Sequence, residues 1–510
     1  MSQQNTSPFL GIRRIMIYQS TRNNDIRASS AQAILDGMAK DGGLYSPDSL
    51  DGLDFDWKAV LPLSTQAMAV KILASLLPSF SETEMGDLIR RAYAGKFETD
   101  ELTPTVAVED DTVLELFRGP TSAFKDVALS MLPVLMTAAR EKCGVSDDIL
   151  ILTATSGDTG KAAMAGFRNV PGTRIMVFYP YGGVSPVQQA QMATQDGDNV
   201  CVCAVRGNFD DAQTGVKGVF AAVEQQGLLK GKGVRLSSAN SINIGRLAPQ
   251  VVYYFRAYGD LIRKGRIALG DPVDFVVPTG NFGDILAGYF AKCLGLPVGK
   301  LVCASNANNI LTDFFATGVY DRNRPFFKTV SPSMDILVSS NLERLLFLLS
   351  HDTDLVARLM ASLAKTGAYQ VPPSLKKRLD DLFFAACCND EGTKRTIGAV
   401  WQKYGYLMDT HTAVAYDAAQ RYKAAYPGHA PVVILSTASP YKFPAAVLEA
   451  LGEDPGADEF AAMERLEKST GVPLPKNLQG LRERPVRHRD VIEPKDMLSY
   501  VLEKAVQKEW

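Results

Sequence analysis

The chain has 510 residues, with 54 Lys and Arg against 56 Asp and Glu and a formal net charge of −2. That balance offers no basic footprint for nucleic acid, and 46% hydrophobic with 22% charged residues excludes a disordered or fibrous chain. No run of about 20 apolar residues is present to span a bilayer, so the length predicts several structural units around a sizeable core.

Ahead of Asp25 no acidic residue occurs, and Arg13-Arg14 precedes only the short apolar run Ile15-Met16-Ile17. A secretory signal needs a longer apolar stretch and a small-residue cleavage site. A flexible extension followed by an early strand over Ile15–Tyr18 is therefore expected. The rest of the first hundred residues reads as mainly helical.

Four apolar runs then stop abruptly in polar loops. Val113–Phe117 ends in Arg-Gly-Pro-Thr-Ser, and Ile149–Leu152 in Thr-Ala-Thr-Ser-Gly-Asp-Thr-Gly. Asp274–Val277 ends in Pro-Thr-Gly-Asn-Phe-Gly-Asp, and Val432–Leu435 in Ser-Thr-Ala-Ser-Pro. Continuous rather than alternating apolar strands indicate a sheet covered on both faces, hence a parallel α/β fold. Helical patterns follow the loops over Lys125–Glu141, Gly160–Phe167 and Asp284–Cys293. Ligands in such folds sit beyond the carboxyl ends of the strands, so the four loops are expected to converge on one composite site.

Cys201 and Cys203 share a face of a strand-like run, Val200–Val205. The seven cysteines include no C-x-x-C and the four histidines no H-E-x-x-H, which argues for reduced thiols and against a metal site. Residues 306–404 read as helical, with patterns over Leu342–Leu349, Thr353–Lys365 and Leu375–Ala386. The basic cluster Arg482–Arg489 is interrupted by Glu483 and closed by Asp490, as a solvated segment would be. Pro494–Lys508 has the pattern of one amphipathic helix.

Gly157-Asp-Thr-Gly160-Lys161-Ala162 looks superficially like a P-loop. It fails because Thr155 stands where the first Gly is needed and Ala162 where Ser or Thr is needed. No G-x-G-x-x-G follows a strand. Gly280-Asn281-Phe282-Gly283-Asp284 does follow a buried strand and opens a helix, a setting in which converging backbone N–H groups suit a phosphate. An ordinary glycine turn accounts for the same residues. The Asp284 carboxylate cannot face a phosphate comfortably although its N–H can, and it also reads as an N-terminal helix carboxylate. Lys125 falls in the first turn of a helix, where a cation is unfavourable and its pKa tends downward. A lysine that sheds its proton suits Schiff-base chemistry; a surface lysine offset by Asp126 is the alternative.

Taken together, Gly119-Pro-Thr with Phe124-Lys125-Asp126, Ser156-Gly-Asp-Thr-Gly160 and Gly280-Asn-Phe-Gly-Asp284 resemble the threonine synthase family in order and spacing. Further matches are Tyr18-Gln-Ser-Thr-Arg22, Gly37-Met-Ala-Lys-Asp-Gly-Gly-Leu-Tyr-Ser-Pro47 and Asn240-Ser-Ile-Asn-Ile-Gly-Arg246. Asp409-Thr-His-Thr-Ala-Val414 and Ser436-Thr-Ala-Ser-Pro-Tyr-Lys-Phe443 complete them. The resemblance runs from about residue 16 to residue 450 and is closest to the longer branch, which carries an extra N-terminal domain.

This resemblance implies an α/β pyridoxal-phosphate enzyme of the tryptophan-synthase-β-like fold (fold-type II). It divides the chain into an N-terminal domain (1–100), a small α/β domain (141–234), a helical insert (306–404) and a C-terminal segment (451–510). A large cofactor domain is assembled from 101–140, 235–305 and 405–450. Lys125 is implied as the Schiff-base lysine, Gly280, Asn281, Phe282, Gly283 and Asp284 as the cofactor phosphate loop, and Thr437 as the partner of the pyridine nitrogen. Ser156, Asp158 and Thr159 are implied at the amino-acid end of the substrate or its leaving phosphate, with helix capping as the competing reading. Asn240, Ser241, Asn243 and Arg246 are implied in a second phosphate site, and His411 in a substrate or phosphate contact.

The implied reaction converts O-phospho-L-homoserine and water to L-threonine and phosphate. The rivals are a pyridoxal-phosphate phospholyase or dehydratase of the same fold, and a binding protein that kept the fold without the chemistry. The implied setting is cytoplasmic, as a monomer or homodimer, with a small-molecule substrate and without metal, nucleic acid or membrane. Two departures stand out. Ser439 occupies a position where many relatives have His, which removes any histidine-dependent step there, and Lys161 adds a cation where they have a small residue.

Overall fold

The computed structural model describes residues 16–155, 157–507 and 510; the expected basic extension around Arg13-Arg14 and the expected site residue Ser156 lie outside them. Ile15, where the early strand was expected to begin, also lies outside them; Met16 and Ile17 precede the strand, which begins at Tyr18. β1 (Tyr18–Ser20) pairs antiparallel with both β2 (Asn23–Ala28) and β3 (Tyr45–Pro47). Helices Ser30–Asp36, Thr65–Leu76 and Glu82–Tyr93 make the rest of this unit mainly helical. Their starts are written locally: Ser29, Ser64 and Ser81 each accept an N–H three residues on, and Ser81 with Glu84 forms a capping box. Ile72 and Leu76 from one helix and Met85 and Ile89 from the next are buried together in the core.

Two sheets carry the remainder. β4 (Thr105–Val108) and β5 (Asp111–Glu115) form an antiparallel pair. β6 (Asp148–Ala154), β7 (Thr173–Pro180), β8 (Val200–Val205) and β9 (Val234–Ser237) then build a parallel sheet of their own. β10 (Val273–Pro278) and β11 (Val298–Ser305) return to the first sheet. The insert contributes an antiparallel pair, β12 (Val319–Asp321) with β13 (Ala368–Gln370). β14 (Phe383–Cys387) and β15 (Val432–Ser436) complete the large sheet in the order β14-β11-β10-β15-β5-β4, in which only the last pair is antiparallel. β16 (Asp490–Ile492) joins the small sheet, whose order is β16-β8-β7-β6-β9. All residues of β7, β8, β10 and β15 are buried, which is why their sequences are mainly apolar and do not alternate with polar residues.

The structure corrects three expectations. The pattern Leu375–Ala386 is not one helix: the helix ends at Leu382 and Phe383 turns extended, with φ −117° and ψ 151°. Pairing with β11 satisfies the backbone there, and aromatic residues suit a strand. The insert therefore supplies an edge to the large sheet and is not purely helical. The single helix expected over Pro494–Lys508 divides into a 3-10 turn, Pro494–Asp496, and the helix Met497–Val506, which with β16 packs onto the small sheet.

One packing detail fixes how closely two helices cross. Pro133 lies inside the Lys125–Lys142 helix and has no N–H for the Leu129 carbonyl four residues back. Helix Asp158–Phe167 crosses at that point, and Gly166 comes so near that an added Cβ would lie 1.9 Å from the Leu129 oxygen. The N-termini of both helices open into the same region.

Candidate active site

Lys125 is the first residue of its helix. The loop after β5 is sewn to the loop after β15. Phe124 N–H donates to the Thr437 carbonyl at 2.8 Å, Ser439 N–H donates to the Ser122 carbonyl at 3.1 Å, and Ala123 bridges Ala438. Thr437 is thereby held beside Lys125, and its hydroxyl has no hydrogen-bond partner among the described residues. Lys125 Nζ donates to Ser333 Oγ at 3.2 Å. Burial lowers the amine's pKa to about 8; Arg246 and Lys442 push the same way, against Asp158 and Asp126. The lowering expected from helix position is present, but burial is its main cause.

The second helix start carries a buried ion pair. Asp158 Oδ1 lies 2.8 Å from Lys442 Nζ, and Lys442 also donates to Gln191 Oε1 at 3.0 Å. Burial alone would raise the Asp158 pKa, but Lys442 and Lys125 outweigh it and hold the carboxyl well below the usual range. Asp158 is thus committed to Lys442 and not to capping. Thr155, which the sequence reading passed over as a site residue, does the capping: its Oγ1 accepts from Gly157 N–H at 3.0 Å and Gly160 N–H at 2.9 Å. Gly157 has φ 145°, a conformation that favours glycine, with the Gln188 side chain 2.3 Å from where a Cβ would lie. Thr159 is half-buried without a side-chain partner among the described residues. Lys161 turns inward and donates to Gln195 Oε1 at 2.5 Å; burial, then Lys442 and Arg484, lower its pKa to about 8.

At the third start, Phe282 has φ 63° and its ring packs on Phe315 and Phe383 with centroids 6.0 and 5.9 Å away. It anchors the loop in the core. The helix from Gly283 has no side-chain cap, so its first N–H groups are left to a ligand or water. The Asp284 carboxylate points to the Tyr253 and Tyr254 hydroxyls, which donate to Oδ1 at 2.6 and 3.0 Å. Burial raises its pKa to about 7, so it does not set a full negative charge against the loop. An added Cβ on Gly280 would meet the Ser333 carbonyl at 2.6 Å. Asn281 is exposed, and its carbonyl accepts from the Asn341 N–H and side-chain amide at 3.1 and 2.9 Å.

Arg246 is buried. One guanidinium N–H donates to the Ala239 carbonyl at 2.7 Å, Nε has no partner, and no carboxylate lies within ion-pair distance among the described residues. Burial lowers its pKa to about 10. Asn240 and Ser241 stand at the open side of the same loop. Asn243 does not join them: its Oδ1 accepts from Gly245 N–H and its amide donates to the Ile34 carbonyl, both at 2.9 Å. Its side chain is spent on the short helix Ile244–Leu247, in place of the expected phosphate contact. The expected contact by His411 also changes character. Nδ1 lies 2.7 Å from Asp409 Oδ2 and Nε2 accepts the Ser333 N–H at 3.1 Å, so both ring nitrogens are already engaged.

Two supports had no part in the sequence reading. Asn341 also donates to the Ser241 carbonyl at 3.2 Å, joining the Gly280 and Asn240 loops. Fully buried Arg344 donates to the Tyr45 carbonyl at 2.9 Å, to Asn341 Oδ1 and to the Ile242 carbonyl. The available signal is a lone arginine among leucines in Leu342–Ser350, since a buried cation must be satisfied by neighbours.

Pyridoxal phosphate fits these residues. The uncapped Gly283 helix start offers N–H donors for its phosphate, Lys125 an amine of lowered pKa for its aldehyde, and Thr437 an unpartnered hydroxyl for its ring nitrogen.

The family model described as Threonine synthase N terminus matches residues 17–93. That for Pyridoxal-phosphate dependent enzyme matches 113–438, and that for Threonine synthase, C-terminal, matches 412–500. Threonine synthase of Pseudomonas aeruginosa is 39% identical over 468 residues, 90% of this chain and 96% of that one. Human Threonine synthase-like 1 is 38% identical over 434 residues, 82% of this chain; the match spans only 58% of the human protein. The crystal structure of pyridoxal-phosphate-bound threonine synthase from Brucella melitensis superimposes with a TM-score of 0.84 at 37% identity, covering 96% of this chain and 99% of that one.

Proposed function

The chain belongs to the threonine synthase family, and from that premise we propose that it converts O-phospho-L-homoserine and water to L-threonine and inorganic phosphate, with pyridoxal 5′-phosphate as cofactor. The observation that carries the reading is Arg246, a buried cation without a carboxylate partner among the described residues, close enough to Lys125 to lower its pKa. A cation left unpaired in the interior is costly unless an anion arrives. The cofactor's own phosphate has the Gly283 helix start, so Arg246 answers a second phosphate. A dehydratase acting on a free hydroxy amino acid has no use for it.

The bound cofactor supplies an electron sink for charge leaving the substrate carbons. Lys125 Nζ removes the proton from the substrate Cα and returns one at the end; a pKa near 8 leaves part of the amine neutral at physiological pH. Arg246 holds the leaving phosphate and neutralises its charge as the Cγ–O bond breaks, with a planar fork suited to phosphate oxygens. The departing phosphate, with a second pKa near about 6, is itself able to carry a proton between carbons. Asn240 and Ser241 line the approach, and Thr159 with the backbone N–H groups of Asp158 and Thr159 receives the amino-acid end. The seven free cysteines support a reducing, cytoplasmic setting. Among the described residues no helix is long and apolar enough to cross a membrane.

The deciding experiment is a phosphate-release assay on purified protein with O-phospho-L-homoserine, with the amino-acid product identified. Threonine with equimolar phosphate is expected. Absence of turnover despite bound cofactor overturns the reading, and 2-oxobutanoate in place of threonine replaces it with a lyase.

A further inference from the structure

A line of hydrogen bonds from outside the cofactor loop ends at the Lys125 amine. Asp409 is wholly buried and fixes His411 from two sides, through the ring Nδ1 at 2.7 Å and the backbone N–H at 2.9 Å. Asp409 also accepts the Thr412 N–H at 3.0 Å. With the Nδ1 proton directed to that carboxylate, Nε2 is an acceptor, and it takes the backbone N–H of Ser333 at 3.1 Å. Ser333 sits in a 3-10 helix of one turn, Pro332–Met334. On the other side of that turn Asp335 accepts from Thr329 Oγ1 at 2.7 Å and Asn306 Nδ2 at 2.8 Å. Ser333 Oγ is left to face Lys125 Nζ at 3.2 Å.

A buried imidazole–carboxylate pair is more than a surface turn needs, and what it fixes is the place of one hydroxyl. A serine hydroxyl has one donor and two acceptor lone pairs. It can accept from a protonated amine and donate to a neutral one without moving, which a carbonyl or a carboxylate cannot do. We propose that Ser333 is a catalytic residue that holds Lys125 Nζ in one place through both protonation states, and that Asp409 and His411 are positioning residues for it. The inference rests on the reading of Lys125 as the proton carrier. The proton travels from the substrate Cα to Nζ and back, and Ser333 keeps its own proton throughout. The charged groups that act electrostatically on Nζ are Asp158, Asp126, Arg246 and Lys442, and they remain in every variant below.

The test compares Ser333→Ala, Ser333→Thr and Lys125→Ala proteins. Ser333→Ala is expected to retain cofactor and KM, to lose kcat by about 10- to 100-fold, as misplaced reacting groups do, and to shift the acid limb of kcat downward, because the charge-assisted bond lost by the ammonium is stronger than the one lost by the neutral amine. Ser333→Thr is expected to recover most of the rate. A second readout needs no chemistry: in cofactor-free protein carrying 13C-methylated lysines, the signal missing from Lys125→Ala should titrate at lower pH in Ser333→Ala. An unchanged rate, pH limb and lysine titration in Ser333→Ala, with Lys125→Ala inactive, overturns the proposal and leaves the proposed function standing. Equal losses in the Ala and Thr variants without a titration shift make Ser333 structural and also overturn it. Turnover by Lys125→Ala would instead remove the reading of Lys125 itself.

Discussion

Lys442, on the loop after β15, reaches Asp158 at the start of a small-domain helix and places its ammonium 2.8 Å from the carboxylate, with both side chains almost entirely out of water. The pair clamps the two sheets at the site. Lys442→Met strands a buried carboxylate, and the expected loss is about 3–5 kcal/mol, read by urea denaturation at neutral pH. Adding Asp158→Asn should recover most of it, because the uncompensated charge is gone. The folded-state pKa of Asp158 is depressed, so its contribution is complete above the unfolded value of about 3.9 and is lost as pH falls through the folded one.

Arg246 separates binding from stability. Arg246→Lys keeps a charge but loses the fork, and affinity for the phosphorylated substrate should weaken by roughly 1.5–3 kcal/mol, with cofactor retention unchanged. Arg246→Met should unfold at a higher temperature than the parent without ligand, since a buried unpaired cation has been removed. Inorganic phosphate should raise the parent's melting temperature and leave that of Arg246→Met untouched. A parent protein indifferent to phosphate would show that Arg246 does not face an anion site.

Asp284 predicts the opposite pH trend to Asp158. Its folded-state pKa is raised to about 7, so between about 4 and 7 the folded chain holds a proton that the unfolded chain has released. Stability therefore falls as pH rises through that window. Asp284→Asn, which still accepts from Tyr253 and Tyr254, should flatten the fall. Denaturant midpoints at several pH values on both proteins measure the difference.

Gly166→Ala tests the crossing of the two helices. The new Cβ would collide with the Leu129 carbonyl, a backbone atom that cannot swing aside, and overpacking of this kind costs about 1–3 kcal/mol or more. Both helices begin at site residues, so kcat should fall together with stability, although position 166 touches no substrate. A variant with normal stability and lowered kcat would be inconsistent with this account.

The strands and the four loops at their ends were legible because burial on both faces writes a mainly apolar run, and because glycines and short hydroxyl residues mark where backbone must approach a ligand. Lys125 and the Gly280 loop could be found in that way, whereas Arg246 came only from the family resemblance. Ser333 could not: it lies in an aperiodic stretch, and its place depends on His411 and Asp409, far along the chain. Thr155 was hidden by the more familiar capping candidates beside it. β14 misled for a different reason. Phe383-Phe384-Ala-Ala continues a helical pattern locally, and only the open edge of β11 decides that it pairs. Asn243 and His411, named through the resemblance as phosphate or substrate contacts, have side-chain partners that belong to the fold itself.

The small sheet ends with β16 laid alongside β8, although four of the six strands of the large sheet and the insert lie between them in the chain. During synthesis, therefore, β8 must wait as an open edge while everything after it is translated, and an unpaired apolar edge is a template for another chain. Cys201, Val202 and Cys203 would meet water, oxidants and neighbouring nascent chains in that interval. Shortening the protein ahead of Asp490 would make this temporary exposure permanent. Loss of soluble yield, before any loss of catalytic power, is the first cost that such a truncation would carry.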